Sequence, residues 1–295
     1  MTASPPSPSA DPGPTGEPDR MGRFRPSDSS GWSEDRIALH HAGWIAGSVA
    51  FAALPSREDD GQTNLAVRRR DGEFVTHPLD QNGALSLRLD VARLELTFRD
   101  GAAREDSFGL IGRTIAEALA ACEEVLRQAG LVDKPIELRP YPDFPDHGLG
   151  RGQVFPPGNA EARGVLFESF ALADAACLHL GDHEPSLGNA RLWPHHFDLG
   201  ALIDVGEGRQ IGLGFSPGDE AIEQPYYYVA GYPTPDLKNA PDLGIGAWCD
   251  TGFQGALLLA PDPSSPGARA RVDAFLLEAV RTTRSLLTSG SRSSS

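Results

Sequence analysis

The sequence predicts an α+β fold, with mainly antiparallel sheets covered by helices and two similar helix–strands–helix halves in one compact unit. Short segments of alternating apolar and polar residues, typical of half-buried strands, follow one another with turn sequences such as Asp100-Gly101 between them. Longer segments with helical apolar spacing precede and follow each group of strands. Because short turns join antiparallel strands and parallel strands need long crossovers, a doubly wound parallel sheet is not expected.

The individual elements follow from periodicity and punctuation. Apolar residues recur at helical spacing in four segments, each of which is followed by a proline, a glycine or a polar tail: residues 38–54, 111–130, 159–180 and 272–287. Alternation or a short apolar run predicts eight strands: residues 64–70, 84–90, 93–98, 136–139, 191–205, 210–215, 226–232 and 255–260.

The two ends of the chain differ in composition from its middle. Residues 1–30 consist mainly of Pro, Ser, Gly, Asp and Thr, and residues 289–295 are SGSRSSS. Such segments bury too little apolar surface to offset the entropy of ordering, so both are predicted to be disordered tails. Between them, residues 31–288 are predicted to form a single domain, with halves at about 31–145 and 155–288.

The charge and cysteine content exclude several classes of protein. The chain has 41 acidic and 26 basic residues and a net charge of −15, so no nucleic-acid partner is expected. No apolar run reaches the roughly 20 residues that cross a bilayer, so no membrane association is expected. The three cysteines have no metal-type spacing and suit a reducing compartment, which predicts a cytoplasmic protein without disulfides: Cys122, Cys177 and Cys249.

The densest group of chemically active residues lies in residues 191–232, which contain RLWPHHFDLG, GFSPGDE and EQPYYYVAGYP. If 191–205 is one strand, its alternation places four side chains on a core-like face: Trp193, His195, Phe197 and Leu199. His196 and Asp198 then share the opposite face. A carboxylate beside an imidazole can fix its tautomer, which makes His196 the candidate general base and Asp198 its orienting partner.

The same pair also suits a metal ion. His179 and His183 are four residues apart and would lie on one helical face, where they could join His196 and Asp198 as ligands. No cofactor is indicated by the sequence. The alternative without chemistry is an exposed His196–Asp198 pair and a His195 that packs and hydrogen-bonds to the backbone.

A pocket for a small molecule is the favoured hypothesis for this stretch. Ser216–Asp219 fits a type II turn, with Asp219 just beyond its centre, and Tyr226 and Tyr228 share one strand face while Tyr227 takes the other. Tyrosine hydroxyls beside carboxylates suit a polar or aromatic ligand, although tyrosines on strands also serve as packing residues. The ligand-binding candidates are Trp193, His195, Asp219, Tyr226 and Tyr228.

Taken together, and in their order along the chain, these motifs resemble a known family. The order of an early tryptophan-bearing helix, Phe197-Asp198-Leu199, the Ser216-Pro217-Gly218 turn and the Tyr226–Tyr228 strand is similar to a bacterial family named domain of unknown function 5996. The resemblance covers about residues 35–287. It implies no activity, cofactor or partner, and it favours Asp198 over the two histidines before it.

Three hypotheses for the function therefore remain open. The first is a small-molecule-binding or enzymatic protein with a polar–aromatic His/Asp/Tyr pocket. The second is a metal-dependent enzyme with His/Asp ligands. The third is a protein–protein interaction module whose tyrosine strand is an interface or a sheet edge. The sequence assigns neither a substrate nor an oligomeric state.

Overall fold

The computed structural model describes residues 33–101, 104–142, 144–219, 222–238, 240–250 and 253–289. Within these ranges the protein has four α-helices: α1 (Ser33–Ala53), α2 (Ile115–Gln128), α3 (Ala160–Gly181) and α4 (Ala268–Ser289). Short 3-10 helices lie at Gly61–Thr63 and Gly148–Arg151. The predictions of disorder for residues 1–30 and for most of the tail 289–295 lie outside the described residues, and Ser289, the first residue of that tail, ends α4.

The strands form two antiparallel sheets, and their order along each sheet follows the order along the chain. The first sheet contains β1 (Ala66–Arg68), β2 (Glu73–Val75), β3 (Leu85–Asp90), β4 (Glu95–Asp100) and β5 (Arg104–Gly109). The second runs β10-β11-β9-β8-β7-β6 and contains β6 (Arg191–Trp193), β7 (Asp198–Gly206), β8 (Arg209–Ser216), β9 (Tyr226–Tyr232), β10 (Ala247–Cys249) and β11 (Gly255–Leu259). The α+β prediction is thus confirmed.

The two sheets meet at one point. Leu65, just before β1, forms an antiparallel bridge with Leu192 of β6, and the two residues exchange backbone hydrogen bonds of 2.9 Å in both directions. Both leucines are fully buried. The first half of the chain therefore continues the sheet of the second half, and the loops beside this bridge come from both halves.

One face of the second sheet carries the core. Phe215 and Tyr227 are cross-strand partners on this inner face, and Phe170 of α3 packs edge-on against Phe215 with ring centroids 4.9 Å apart. Helix α4 packs against the same face, because a side chain at Gly231 of β9 would meet Thr283 of α4. The residues that alternate with these face the other way, and we call that side the outer face.

Two element predictions were wrong. Residues 136–139 form no strand within the described part of the chain, and they lie between Pro135 and Pro140, which lack the N–H that a ladder needs. The helix predicted from residue 111 begins only at Ile115. A capping box, in which Thr114 and Glu117 satisfy each other's backbone N–H groups, fixes its start there.

Helix α3 is long and apolar enough to cross a membrane by length and composition, with a mean hydropathy of 1.3 over its most apolar window. In the structure 56% of that window is buried against the rest of the protein. Phe170 is fully buried in the core, and Arg163 and Asp174 interrupt the apolar sequence of the helix. We therefore describe α3 as a core helix, and the cytoplasmic location stays a prediction.

Candidate functional site

The segment 191–205 is a hairpin and not the single strand that its alternation predicts. Strand β6 ends at Trp193, residues 194–197 form a turn, and β7 begins at Asp198. Phe197 has a left-handed backbone (φ 54°), which closes the turn. Trp193 and Asp198 are directly paired across the hairpin and so share the outer face, which corrects the predicted separation of these two side chains.

Asp198 is held by a tyrosine from a different hairpin. The Tyr228 hydroxyl donates a hydrogen bond of 2.5 Å to Oδ2 of Asp198. Tyr228 lies two strands away, and its side chain crosses the outer face over two glycines that provide the space. A side chain at Gly214 would approach the Tyr228 hydroxyl to 2.8 Å, and one at Gly200 would approach it to 3.1 Å.

A second pair of the same kind lies beside the first. The Tyr226 hydroxyl donates a hydrogen bond of 2.6 Å to Oδ2 of Asp219, while Oδ1 of Asp219 accepts the N–H of Ile222 at 2.8 Å. The rings of Tyr226 and Tyr228 are 6.3 Å apart, and the Phe253 ring lies 5.9 Å from that of Tyr228. The fold therefore brings together four of the residues that the sequence analysis proposed for the site. We call them the Asp–Tyr cluster: Asp198, Asp219, Tyr226 and Tyr228.

Removal from water governs the electrostatics of three members of this cluster, Asp198, Tyr226 and Tyr228. Desolvation raises the pKa of Asp198, an effect opposed by the hydrogen bond from Tyr228 and by His196. Burial and the neighbouring carboxylates raise the pKa values of Tyr226 and Tyr228, so both hydroxyls keep their protons at neutral pH. Each tyrosine therefore acts as a donor to its carboxylate and keeps oxygen lone pairs for another partner.

The loop that carries Asp219 is anchored by the first helix. Arg36 of α1 lies beside the carbonyl oxygens of Pro217 and Glu223, each 3.5 Å from Nη1. Gly218 has φ +99°, as the centre of a type II turn requires, and a side chain there would meet Glu223 and Arg36. Desolvation lowers the pKa of Arg36, and Asp219 and Glu223 oppose that effect.

The two adjacent histidines do not take the predicted positions. His196 is exposed in the turn, and no hydrogen bond joins it to Asp198 among the described residues, although the two groups interact electrostatically. His195 packs against Tyr141 and Trp193, with ring centroids 5.4 and 5.7 Å away. Burial lowers the pKa of His195 to about 4. The orienting partner that Asp198 actually contacts is Tyr228.

The predicted metal ligands do not converge. His179 and His183 do lie together, with ring centroids 5.3 Å apart at the end of α3. However, α3 packs on the inner face of the second sheet, whereas Asp198 lies on the outer face. Within the described residues, no group of three or more His, Cys, Asp or Glu side chains has the arrangement to hold a metal ion.

The tyrosine strand is not a sheet edge. Strand β9 lies between β8 and β11 and is paired with both. Its backbone N–H and C=O groups therefore have partners in the sheet, and the sheet-edge version of the interaction hypothesis is wrong. An interface formed by side chains of the outer face stays a prediction.

Sequence patterns missed part of this site. Arg36 precedes the site by more than 180 residues, and it looks like an ordinary charged residue at the start of a helix. Phe253 lies beyond the predicted tyrosine strand and reaches the cluster through the β10–β11 hairpin. The alternating glycines of IGLGF in β8 were an available signal, because glycine inside a strand often marks the close approach of another group.

The fold and the site define an α+β protein with two antiparallel sheets and a carboxylate–tyrosine cluster on one sheet face. No protein-family model, no curated protein and no solved structure matches the chain. The resemblance to domain of unknown function 5996 therefore stays a prediction, and the function has to be argued from the site itself.

We expect Gly214→Ala to damage both the site and the fold. Its Cβ would lie 1.8 Å from the Leu199 carbonyl oxygen, so the backbone of β7 or β8 has to move, at a cost of about 2 kcal/mol or more in the free energy of unfolding. Urea denaturation measures this change. Gly164→Ala in α3, where a Cβ meets open space, is the control and should stabilise the protein by up to about 1 kcal/mol. Equal effects at both positions would contradict the tight packing at Gly214.

Proposed function

We propose that the protein binds a small polar molecule at the Asp–Tyr cluster, as a ligand-binding protein or an enzyme. The observation that carries the proposal is the pair of adjacent Tyr–Asp hydrogen bonds, of 2.5 and 2.6 Å, assembled from three separate segments of the second sheet. Asp198 and both tyrosines are desolvated, whereas Asp219 is exposed, and a desolvated carboxylate beside two buried hydroxyls is costly in a purely structural role. Groups with shifted pKa values are concentrated at functional sites.

The chemistry of the cluster favours a ligand that donates hydrogen bonds. The tyrosine protons are already committed to the carboxylates, so the remaining capacity of both pairs is mainly that of acceptors. The faces of Tyr226, Tyr228 and Phe253 add an aromatic surface beside these acceptors. A small molecule with amino or hydroxyl groups meets both properties, because amines also interact favourably with aromatic faces.

An enzymatic version of the proposal uses Asp198 as the acid–base group. Its raised pKa brings proton exchange closer to neutral pH than for an ordinary aspartate, and Tyr228 holds its carboxylate in one orientation. His196, exposed at the rim and electrostatically coupled to Asp198, would exchange the proton with solvent. This assignment reverses the roles that the sequence predicts for the two residues.

The test is a thermal-shift screen of amines, polyols and other small metabolites, followed by calorimetric titration of any compound that stabilises the protein. Tyr228→Phe removes only the hydroxyl, which accepts a hydrogen bond from the ligand and orients Asp198. We expect this change to weaken binding by about 10- to 100-fold, which is the size of effect of losing one hydrogen bond that involves a charged group. Tyr232→Phe is the matched control, because Tyr232 lies on the same strand and face but is half exposed. A ligand that binds both variants equally would refute the proposed site.

A further inference from the structure

A second polar cluster lies where the two sheets meet. Arg139 donates through Nη2 to both carboxylate oxygens of Asp60, at 3.1 and 2.8 Å. Tyr141 lies beside Arg139, and the His195 ring is 5.4 Å from the Tyr141 ring. Asp60 also acts electrostatically on Tyr141 and on His195. We call these four residues, Asp60, Arg139, Tyr141 and His195, the junction cluster.

Three side chains of this cluster hold polar atoms that are shielded from solvent and lack a hydrogen bond. They are Nε of Arg139, the Tyr141 hydroxyl and Nδ1 of His195. Gln62, in the 3-10 helix next to Asp60, adds an unpartnered Nε2 and is only 3% exposed. Buried polar groups almost always have partners, because each missing hydrogen bond costs free energy. A concentration of four such atoms around one loop therefore indicates a missing partner.

The backbone of this loop also carries strain. Asp60 has a left-handed conformation (φ 52°), which few residues with a side chain adopt and which Asp adopts more readily than most. The next polar residues, Gln62, Thr63 and Asn64, are all buried. Left-handed non-glycine residues and buried polar loops persist where the surrounding structure enforces them, and they are frequent at binding sites. The 3-10 helix is adjacent to the Leu65–Leu192 bridge, so both halves of the chain hold this geometry.

We propose that Arg139, Tyr141 and His195 form a binding site for a small oxyanion, a carboxylate or phosphate group, separate from the Asp–Tyr cluster. Arg139 Nε and Gln62 Nε2 are donors, and the Tyr141 hydroxyl, although Thr63 and Arg139 lie beside it, has no acceptor in hydrogen-bonding geometry, so an oxygen-rich partner satisfies most of the unpartnered atoms. Asp60 offsets the charge of Arg139. The charges of the site therefore balance when the anion enters together with a proton on His195.

The uptake of a proton by His195 together with the anion makes anion binding depend on pH. The groups that face His195 are Asp60, Arg139, Tyr141, His196 and the ring of His40, which contacts the backbone at His195. Without an anion, burial holds the pKa of His195 at about 4, so the imidazole is neutral at physiological pH. A bound anion raises that pKa. By reciprocity, the anion binds more tightly as pH falls, by up to about tenfold per pH unit.

The experiment uses the full chain with acetate and inorganic phosphate as probes, and chloride keeps the ionic strength constant. Histidine ring resonances from nuclear magnetic resonance are followed during titrations at pH 8 and pH 6. Saturable shifts of the His195 ring, larger at pH 6 and lost in Tyr141→Phe, are the expected result. A response to acetate alone identifies a carboxylate site, and a response to phosphate alone identifies a phosphate site.

Two outcomes would overturn the proposal. One is the absence of a saturable His195 shift with either probe, which would leave internal water as the partner of these atoms. The other is anion binding, measured by calorimetric titration, that persists unchanged in both Tyr141→Phe and His195→Gln. Because Tyr141→Phe removes one unpartnered hydroxyl, it should not unfold the protein. Asp198→Asn should leave anion binding intact, so failure at this site is distinguishable from failure at the Asp–Tyr cluster.

Discussion

Replacing Asp35 with alanine is expected to lower the free energy of unfolding by about 3 to 5 kcal/mol, because it leaves the buried charge of Arg163 without a counterion. Arg163 is 1% exposed and Asp35 is 6% exposed, and their closest atoms are 2.6 Å apart. An unpaired guanidinium in this position has no access to water.

Further hydrogen bonds connect the Asp35–Arg163 pair to three segments of the chain. The Arg163 guanidinium also donates to the carbonyl oxygens of Val91, Ala92 and Pro157. Asp35 accepts the backbone N–H of Asn159, the N-cap residue of α3. The network thus joins the first turns of α1 and α3 to the β3–β4 turn. Loss of either charge frees three segments at once.

Urea denaturation of Asp35→Ala, Arg163→Met and the double variant measures the effect. Since the second substitution removes the charge that the first leaves unpaired, the double variant should lose clearly less stability than the sum of the two. The control is Asp146→Ala, which breaks the exposed Arg151–Asp146 pair and should cost at most about 1 kcal/mol. A loss below about 1 kcal/mol for Asp35→Ala would contradict the role of the network.

Local patterns were sufficient for the fold class and for most elements. The alternation of Leu85, Leu87 and Leu89 identified β3, and the apolar spacing of residues 111–130 identified α2, because each pattern reports one buried face. Strands β2, β5 and β10 were missed. β2 and β10 have three residues each, too few to show a period, and the sequence of β5, REDSFG, contains a single large apolar residue and so shows no alternation. Their pairing depends on neighbouring strands, which local sequence does not specify.

The residues of the site were predicted in part, again because local sequence shows residue types but not tertiary contacts. Clustering of chemical residue types selected Asp198, Asp219, Tyr226 and Tyr228, which the fold does bring together. The assignment of side chains in 191–205 to the two strand faces was wrong, because the four turn residues 194–197 interrupt the alternation. The proline at position 194 was the sequence signal that the strand ends there. Contacts across about 180 residues, such as that of Arg36, depend on the tertiary fold and leave no local pattern.

Acidification from pH 7 to pH 5 is expected to destabilise the protein by roughly 3 kcal/mol or more, mainly through two buried histidines of α1. Burial lowers the pKa of His40 to about 3 and that of His41 to about 4, from an ordinary value of 6.5. Below pH 6.5 the unfolded chain therefore binds protons that the folded protein does not. Stability is complete above this pH and falls as pH decreases toward the folded pKa values.

The geometry explains why both imidazoles stay neutral in the folded protein. Nε2 of His40 is 2.9 Å from the Pro194 carbonyl oxygen, and its ring stacks on Phe197 at 5.2 Å. His41 is fully buried, with Nδ1 2.8 Å from the Ile37 carbonyl oxygen and no partner for Nε2. A proton on His41 Nε2 would thus create a buried charge without a counterion or a hydrogen bond.

Urea denaturation between pH 7 and pH 5 measures the slope of stability against pH. His41→Phe should remove between a third and a half of it, because His195 also has a pKa lowered to about 4, whereas His183→Gln, at an exposed position, should leave it unchanged. Asp198 contributes in the opposite direction, because a raised pKa lets the folded protein take up a proton first, so Asp198→Asn should steepen the loss. A stability that is flat over this range in both the parent and Asp198→Asn would refute the assignment, since it would mean that the buried histidines accept protons without unfolding.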